Sequence, residues 1–147
     1  MRWIIRIIAG LLIFIISAFL LFIVVASRHY VPPIIMYHQV LPGAKYEYRL
    51  AVSVNTLERQ MRFLKIHHYN IVTVGELADL IRLKKIIPPK TVAVTFDDGY
   101  KDNYTYAFPI LKKYGIPATF FVIVEEIGNA QKFGWDEIRK MQESGVA

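Results

Sequence analysis

The 147 residues carry a formal net charge of +6 and no cysteine, and 54% of them are hydrophobic. Lack of cysteine excludes a disulfide framework, a thiolate metal site and the acceptor for lipoprotein anchoring. Arg2 and Arg6 hold two of the positive charges, and the rest are scattered among acids without the dense basic run that marks a nucleic-acid-binding chain. Nucleic acid is therefore not an expected partner.

Residues 7–26 are uncharged and nearly all Ile, Leu, Phe, Val or Ala. About 20 residues at ~1.5 Å each make a helix of roughly 30 Å, the thickness of bilayer hydrocarbon. A core helix would show a polar stripe, and this run has none. Arg2 and Arg6 supply the positive n-region of an export signal and predict a cytoplasmic N-terminus, although Arg28 beyond the run weakens that bias. Val24-Val25-Ala26 would pass as a cleavage site, but the run exceeds the ~7–15 residues of a signal h-region. The expectation is an uncleaved, single-pass anchor in the cell membrane, with the C-terminal domain extracytoplasmic.

Beyond a linker broken by Pro32-Pro33, Ile34-Ile35-Met36-Tyr37 reads as a short buried strand closing at His38, and a polar loop is expected from residue 39 to about 52. Leu57, Met61 and Leu64 then recur at helical spacing over residues 56–67. Ile71-Val72-Thr73 predicts a second strand. Thr73-Val74-Gly75-Glu76 has the S/T-x-x-E form of a capping box, opening a helix that ends near Lys84-Lys85. Val92-Ala93-Val94-Thr95-Phe96 is a continuous apolar strand, as in a parallel sheet covered on both faces. A helix through Ala107, Ile110 and Leu111 follows, with Pro109 in its first turn or at a kink and Gly115 at its end. Residues 118–124 predict another buried strand, and residues 135–142 a last helix closed by Gly145. Strands alternating with helices predict a parallel α/β fold. Roughly four βα units are present where an eight-unit barrel takes ~250 residues, so the sheet is either small and open or an unfinished barrel.

The sharpest local feature is Asp97-Asp98-Gly99, two adjacent carboxylates where a buried strand ends. Like charges beside a low-dielectric sheet repel unless a metal, a proton or a cation compensates, and strand carboxyl ends are where parallel folds build sites. A plain Asp-Asp-Gly turn, with Asp98 capping the next helix, is the other reading. His38 ends the first strand on the same rim, as a site-lining residue or a satisfied core-edge imidazole. Tyr100 suits stacking on a ligand ring or simple packing, and Tyr46, Tyr48 and Tyr104 are no better determined. His67 and His68 end a helix, where they suit a cap better than a metal site. His29, at the membrane edge, is expected to be solvated.

Thr95-Phe96-Asp97-Asp98-Gly99-Tyr100 resembles the first motif of the NodB-homology polysaccharide deacetylases, carbohydrate esterases that remove acetyl groups from sugar polymers. Met36-Tyr37-His38-Gln39-Val40 resembles the Y-H-x-V opening strand of their exported branch. Gly115-Ile116-Pro117-Ala118-Thr119-Phe120-Phe121-Val122 resembles the strand after motif one. Gly134-Trp135-Asp136-Glu137-Ile138, running to Gly145-Val146, resembles the helix leading to motif two. The opening strand and the roughly 50-residue stretch before Thr95 look more like poly-N-acetylglucosamine deacetylases than chitin deacetylases.

The resemblance implies a metal-dependent hydrolase on a distorted (β/α) barrel, removing acetyl groups from an N-acetylglucosamine-containing polysaccharide at the cell surface. It implies Asp98 as a ligand of a divalent metal (zinc first, cobalt or nickel as alternatives) and Asp97 as general base on a metal-bound water. In such enzymes the site is completed by an H-[S/T]-x-x-x-H motif, which does not occur in these 147 residues. The chain is therefore expected to be a truncated copy, inactive alone and without a tightly bound metal. The expected organisation is an n-region at 1–6, an anchor at 7–26, a linker at 27–33 and a partial deacetylase domain at 34–147, its NodB-homology core from about 90. The alternative is a non-catalytic, membrane-tethered carbohydrate-binding remnant. A glycoside hydrolase fits badly, because its carboxylates stand ~5–9.5 Å apart rather than adjacent on a turn.

Overall fold

The computed structural model describes residues 2–27, 30–44 and 49–147, so Arg28, His29, Tyr46 and Tyr48 lie outside the described residues. The chain divides into two units, Met1–Val31 and Pro32–Ala147. The first is a single helix, α1 (Arg2–Ser27). Its stretch Arg2–Val25 is long and apolar enough to cross a membrane, a test that a signal sequence also passes, and none of that stretch is buried. The helix begins before residue 7 because Trp3, Ile4 and Ile5 continue the apolar run.

The second unit is built around one strand. Ile34–Tyr37 (β1), Asn70–Val72 (β4), Thr91–Phe96 (β5) and Thr119–Phe120 (β6) form one parallel sheet, and a separate parallel pair joins Gln39–Leu41 (β2) to Ala51–Ser53 (β3). Every side chain of β5 is buried. β1 runs along one edge of β5, from Ile34 beside Ala93 to Tyr37 beside Phe96. The other edge is shared end to end: β4 lies beside Thr91 to Ala93, and β6 takes over beside Thr95 and Phe96.

Strand alternation gives Val92, Val94 and Phe96 to the main core. There they join Leu57, Met61 and Leu64 of α2 (Val54–Ile66) and Ile110 and Leu111 of α4 (Phe108–Tyr114). The opposite face carries Ala93 and Thr95 of β5, and beside them Ile34 and Met36 of β1, which are 52% and 58% exposed. Covering of both faces therefore holds for β5 and fails for β1.

Local signals account for the helix starts. Ser53 caps α2 by accepting from the Thr56 N–H at 3.1 Å. At the start of α3 (Val74–Arg82), Thr73 accepts from the Glu76 N–H at 3.1 Å, and Glu76 returns the bond to the Thr73 N–H at 2.8 Å. This is the expected capping box, which satisfies two backbone donors that the helix itself leaves free. α3 stops before the expected Lys84-Lys85 end. A π-helical turn, Asn103–Ala107, precedes α4, where Pro109 sits in the first turn and needs no N–H partner. Gly115 ends α4 at φ +59°, and α5 spans Trp135–Glu143.

Two expectations are corrected. The loop predicted from 39 to 52 begins and ends in strands, because the buried Val40 is pinned through its N–H to the Asp102 carboxylate at 3.0 Å. The strand predicted over 118–124 is only the two residues of β6. Past Phe120 the ladder to β5 runs out with Phe121 N–H on the Phe96 carbonyl at 2.9 Å, and the chain turns into the 3₁₀ segment Val124–Glu126.

Candidate active site at the end of the central strand

Beneath the acid pair lies an aromatic row across three strands. Tyr37 stacks on Phe96 at 5.2 Å between ring centroids, Phe96 on Phe120 at 5.0 Å, and Phe133 meets Phe120 edge-on at 5.9 Å. The Tyr37 hydroxyl donates to Gln60 at 2.8 Å, and burial pushes its phenol up to about 12. These rings form an apolar floor, above which β5 ends.

The Asp97 N–H still follows the sheet, donating to the Tyr37 carbonyl at 2.9 Å. Its Oδ1 is buried without a hydrogen-bond partner. Asp98 and Gly99 then take left-handed backbone in succession, at φ +67° and +63°. Aspartate tolerates this conformation better than most residues, and glycine adopts it freely. A Cβ on Gly99 would lie 3.1 Å from Val122 Cγ1, so this position needs glycine for space as well as for φ. The turn reverses the chain abruptly and leaves both carboxylates at the strand end.

Lys132 closes over this turn. Its ammonium donates to the Asp98 carbonyl at 2.8 Å, pairs with Glu126 at 2.8 Å and lies 3.9 Å from the centre of the Tyr100 ring. Only 14% of its side chain is exposed, which strengthens these contacts relative to those of a surface lysine. One face of Tyr100 is thus taken by a cation, which bears on its expected role as a sugar platform. Backbone bonds from Lys101 to Gln131 and from Phe133 to Gly99, both 2.9 Å, tie the turn to residues 131–133. Asp102 follows the turn, and burial pushes its carboxyl above the usual carboxylate range, against the lowering effects of the Val40 N–H, the Gln39 side chain and the Lys132 charge.

The structure brings together most of the residues singled out from the sequence. Tyr37 pairs with Phe96, so His38 and Asp97 end neighbouring strands, and Tyr100 leaves the same turn. His67 caps the end of α2, and His68 is left-handed at φ +55°, in keeping with the cap reading. Lys132 and Asp102 were not expected in the site. Beside the turn is a mixed cleft of about 290 Å³, with Gln39, Tyr100, Lys101, Asp102 and Gln131 on its walls together with the apolar Leu41 and Ala130. A larger depression of about 530 Å³ between β1 and α2 is apolar and carries no carboxylate.

A catalytic zinc or similar ion needs about three protein ligands and an open position. Among the described residues, no group of three His, Cys, Asp or Glu side chains stands close enough to hold one. The acid pair alone does not make that ligand set.

Comparison with known proteins places this geometry. The profile of the polysaccharide deacetylase family matches residues 84–147. The Bacillus subtilis (strain 168) protein YxkH, assigned by its name to the polysaccharide deacetylases, is 36% identical over 115 residues, 78% of this chain and 40% of its own. A poly-β-1,6-N-acetyl-D-glucosamine N-deacetylase of Staphylococcus aureus (strain MSSA476) is 34% identical over 101 residues, 65% of this chain and 34% of its own. The structure of the Streptococcus pyogenes deacetylase PplD in complex with acetate superposes with a TM-score of 0.70 at 29% identity, over 78% of this chain and 53% of that one. The chain thus spans between about a third and two-fifths of the length of the curated relatives it matches. Profile, relatives and superposed fold agree: residues 84–147 match the polysaccharide deacetylase family, and the fold is NodB-like.

Proposed function

We propose that this chain provides the acid-pair part of a metal-dependent N-deacetylase acting on N-acetylglucosamine-containing polysaccharide at the cell surface. Asp97 is its general base and Asp98 one ligand of a divalent ion, zinc before cobalt or nickel. α1 is its single-pass anchor, with residues 1–6 cytoplasmic, 27–33 a linker and the domain from residue 34 extracytoplasmic. His38 lines the rim beside Asp97.

The observation that carries the reading is the buried, unpartnered Oδ1 of Asp97 at the end of the central strand. A carboxylate oxygen with no competing donor and little water is poised to take a proton from a water molecule. In the reaction, water oxygen bonds to the acetyl carbonyl carbon, the carbon–nitrogen bond breaks, and acetate and a protonated amine leave. Asp97 accepts one proton from the attacking water and gives it up again toward the departing nitrogen, so that both water protons end on the amine. Gln39, Lys101 and Asp102 around the cleft beside the turn supply donors and acceptors suited to sugar hydroxyls. The S. aureus relative carries poly-β-1,6-N-acetyl-D-glucosamine in its name, which favours that class of polymer.

The test is acetate release from N-acetylglucosamine oligomers by a version extended with a relative's segment bearing an H-[S/T]-x-x-x-H motif. Release that depends on added metal and on Asp97 is the expected outcome. No release from an extended, folded protein would count against the reading.

The non-catalytic carbohydrate-binding reading draws on the lack of three clustered ligands among the described residues. It predicts that the 147-residue chain retains oligomers on an affinity column while titrating zinc only weakly. Stoichiometric, micromolar zinc uptake lost on Asp98→Asn would exclude it.

A further inference from the structure

The amino end of the sheet, opposite the acid pair, combines exposed apolar side chains with lysines. The α2–β4 turn presents Ile66, 60% exposed, and the α3–β5 connection presents Leu83 and Ile86, 55% and 86% exposed. The two segments are neighbours: Asn70 pairs with Thr91, its N–H meets the Lys90 carbonyl at 3.0 Å, and the Lys90 ammonium reaches the His67 carbonyl at 3.1 Å.

Lys65 precedes Ile66, Lys84 and Lys85 lie between Leu83 and Ile86 along the chain, and these three lysines and Lys90 are all exposed. Residues 65–90 contain only two acids, Glu76 and Asp79, and Asp79 already pairs with Arg82 at 2.9 Å. Lys84 and Lys90, both in the α3–β5 connection, are left-handed at φ +51° and +61°, a conformation that favours glycine, so this connection twice carries a cation where a bare residue would be least strained. Exposed apolar side chains interspersed with lysines are the make-up of surfaces that settle into the headgroup region of anionic bilayers.

The third observation is where the tether arrives. The Pro33 carbonyl accepts from the Ala93 N–H at 3.1 Å, so the chain coming from α1 enters the sheet at this same end.

We propose that this rim, centred on Ile66, Leu83 and Ile86, is a docking face for an anionic lipid surface. Docking holds the domain on the bilayer by its amino end and turns the Asp97–Asp98 end outward. The inference rests on the anchor reading only for the tether.

The absence of cysteine makes the test direct. The full chain carries a polarity-sensitive dye at Ile86→Cys or, as a control at the opposite end, at Ala130→Cys. It is reconstituted in phosphatidylcholine vesicles with or without phosphatidylglycerol. The expected result is a blue shift and loss of iodide quenching at residue 86 only, dependent on phosphatidylglycerol and abolished by Lys84→Glu with Lys85→Glu. Equal quenching at both positions in anionic vesicles would overturn the proposal. A shift that ignores lipid charge and grows with protein density would assign the face to a second copy of the chain, and would overturn it too. Retention on phosphatidylcholine vesicles after a carbonate wash reports α1 insertion by itself. Loss of that retention sinks the anchor reading, and the dye then decides the face on added anionic vesicles.

Discussion

Asp98 and Gly99 share one left-handed turn, so a substitution there acts on backbone and chemistry together. Asparagine keeps most of the tolerance for this conformation and alanine does not, which makes Asp98→Asn the cleaner probe. In the extended protein, Asp98→Asn is expected to lose bound metal and acetate release together. Asp97→Asn should keep the metal while losing on the order of 10²–10⁴ in rate. Metal content by mass spectrometry and acetate release separate the two, and the reverse pattern would exchange the roles. Gly99→Ala should destabilise the fold by about 1–2 kcal/mol from its φ alone, with the Val122 contact adding to that. Urea denaturation of the purified chain measures it, and an unchanged midpoint would contradict the turn geometry. The acid pair was legible in the sequence because its signal is local: a buried run, two acids, a glycine. Lys132 and Asp102 were not, because their partners in the site lie 34 and 62 residues away, and no periodicity couples positions so far apart.

At the scale of elements, sequence reading succeeded where a structure's stabilising contacts lie within a few residues. The Thr73–Glu76 box closes over three residues, and the α2 stripe repeats over one helix face. It failed at β2, whose pairing rests on a side chain from beyond β5, and at β6, which is as apolar as a long strand but has β5 beside it for only two residues. The contact of β1 with α2 gives a pH test. Burial raises the Tyr37 phenol from 10 to about 12, so folding favours its protonated form. That contribution is complete below pH 10 and is lost as pH rises through about 12. Between those limits the parent chain should lose stability more steeply than Tyr37→Phe, by urea midpoints taken across the range. Parallel curves would mean that the phenol is not shielded.

For the whole molecule, the largest question is which side of a membrane the domain occupies. Arg2 and Arg6 ahead of the long apolar helix predict that a reporter enzyme fused after Ala147 is active outside the cytoplasm and that the product keeps its N-terminus. Activity confined to the cytosol would refute the anchor, whereas a mature N-terminus near Ser27 would refute only its uncleaved form. The open face of β1 bears on handling rather than on chemistry. Among the described residues β1 pairs only with β5, and Ile34 and Met36 stand more than half exposed. An apolar strand with a spare edge recruits strands from other molecules, and a lysine on that edge is a common natural deterrent. Concentrated stocks in detergent should therefore coarsen with storage, as light scattering would show, and Met36→Lys should keep them monodisperse for longer.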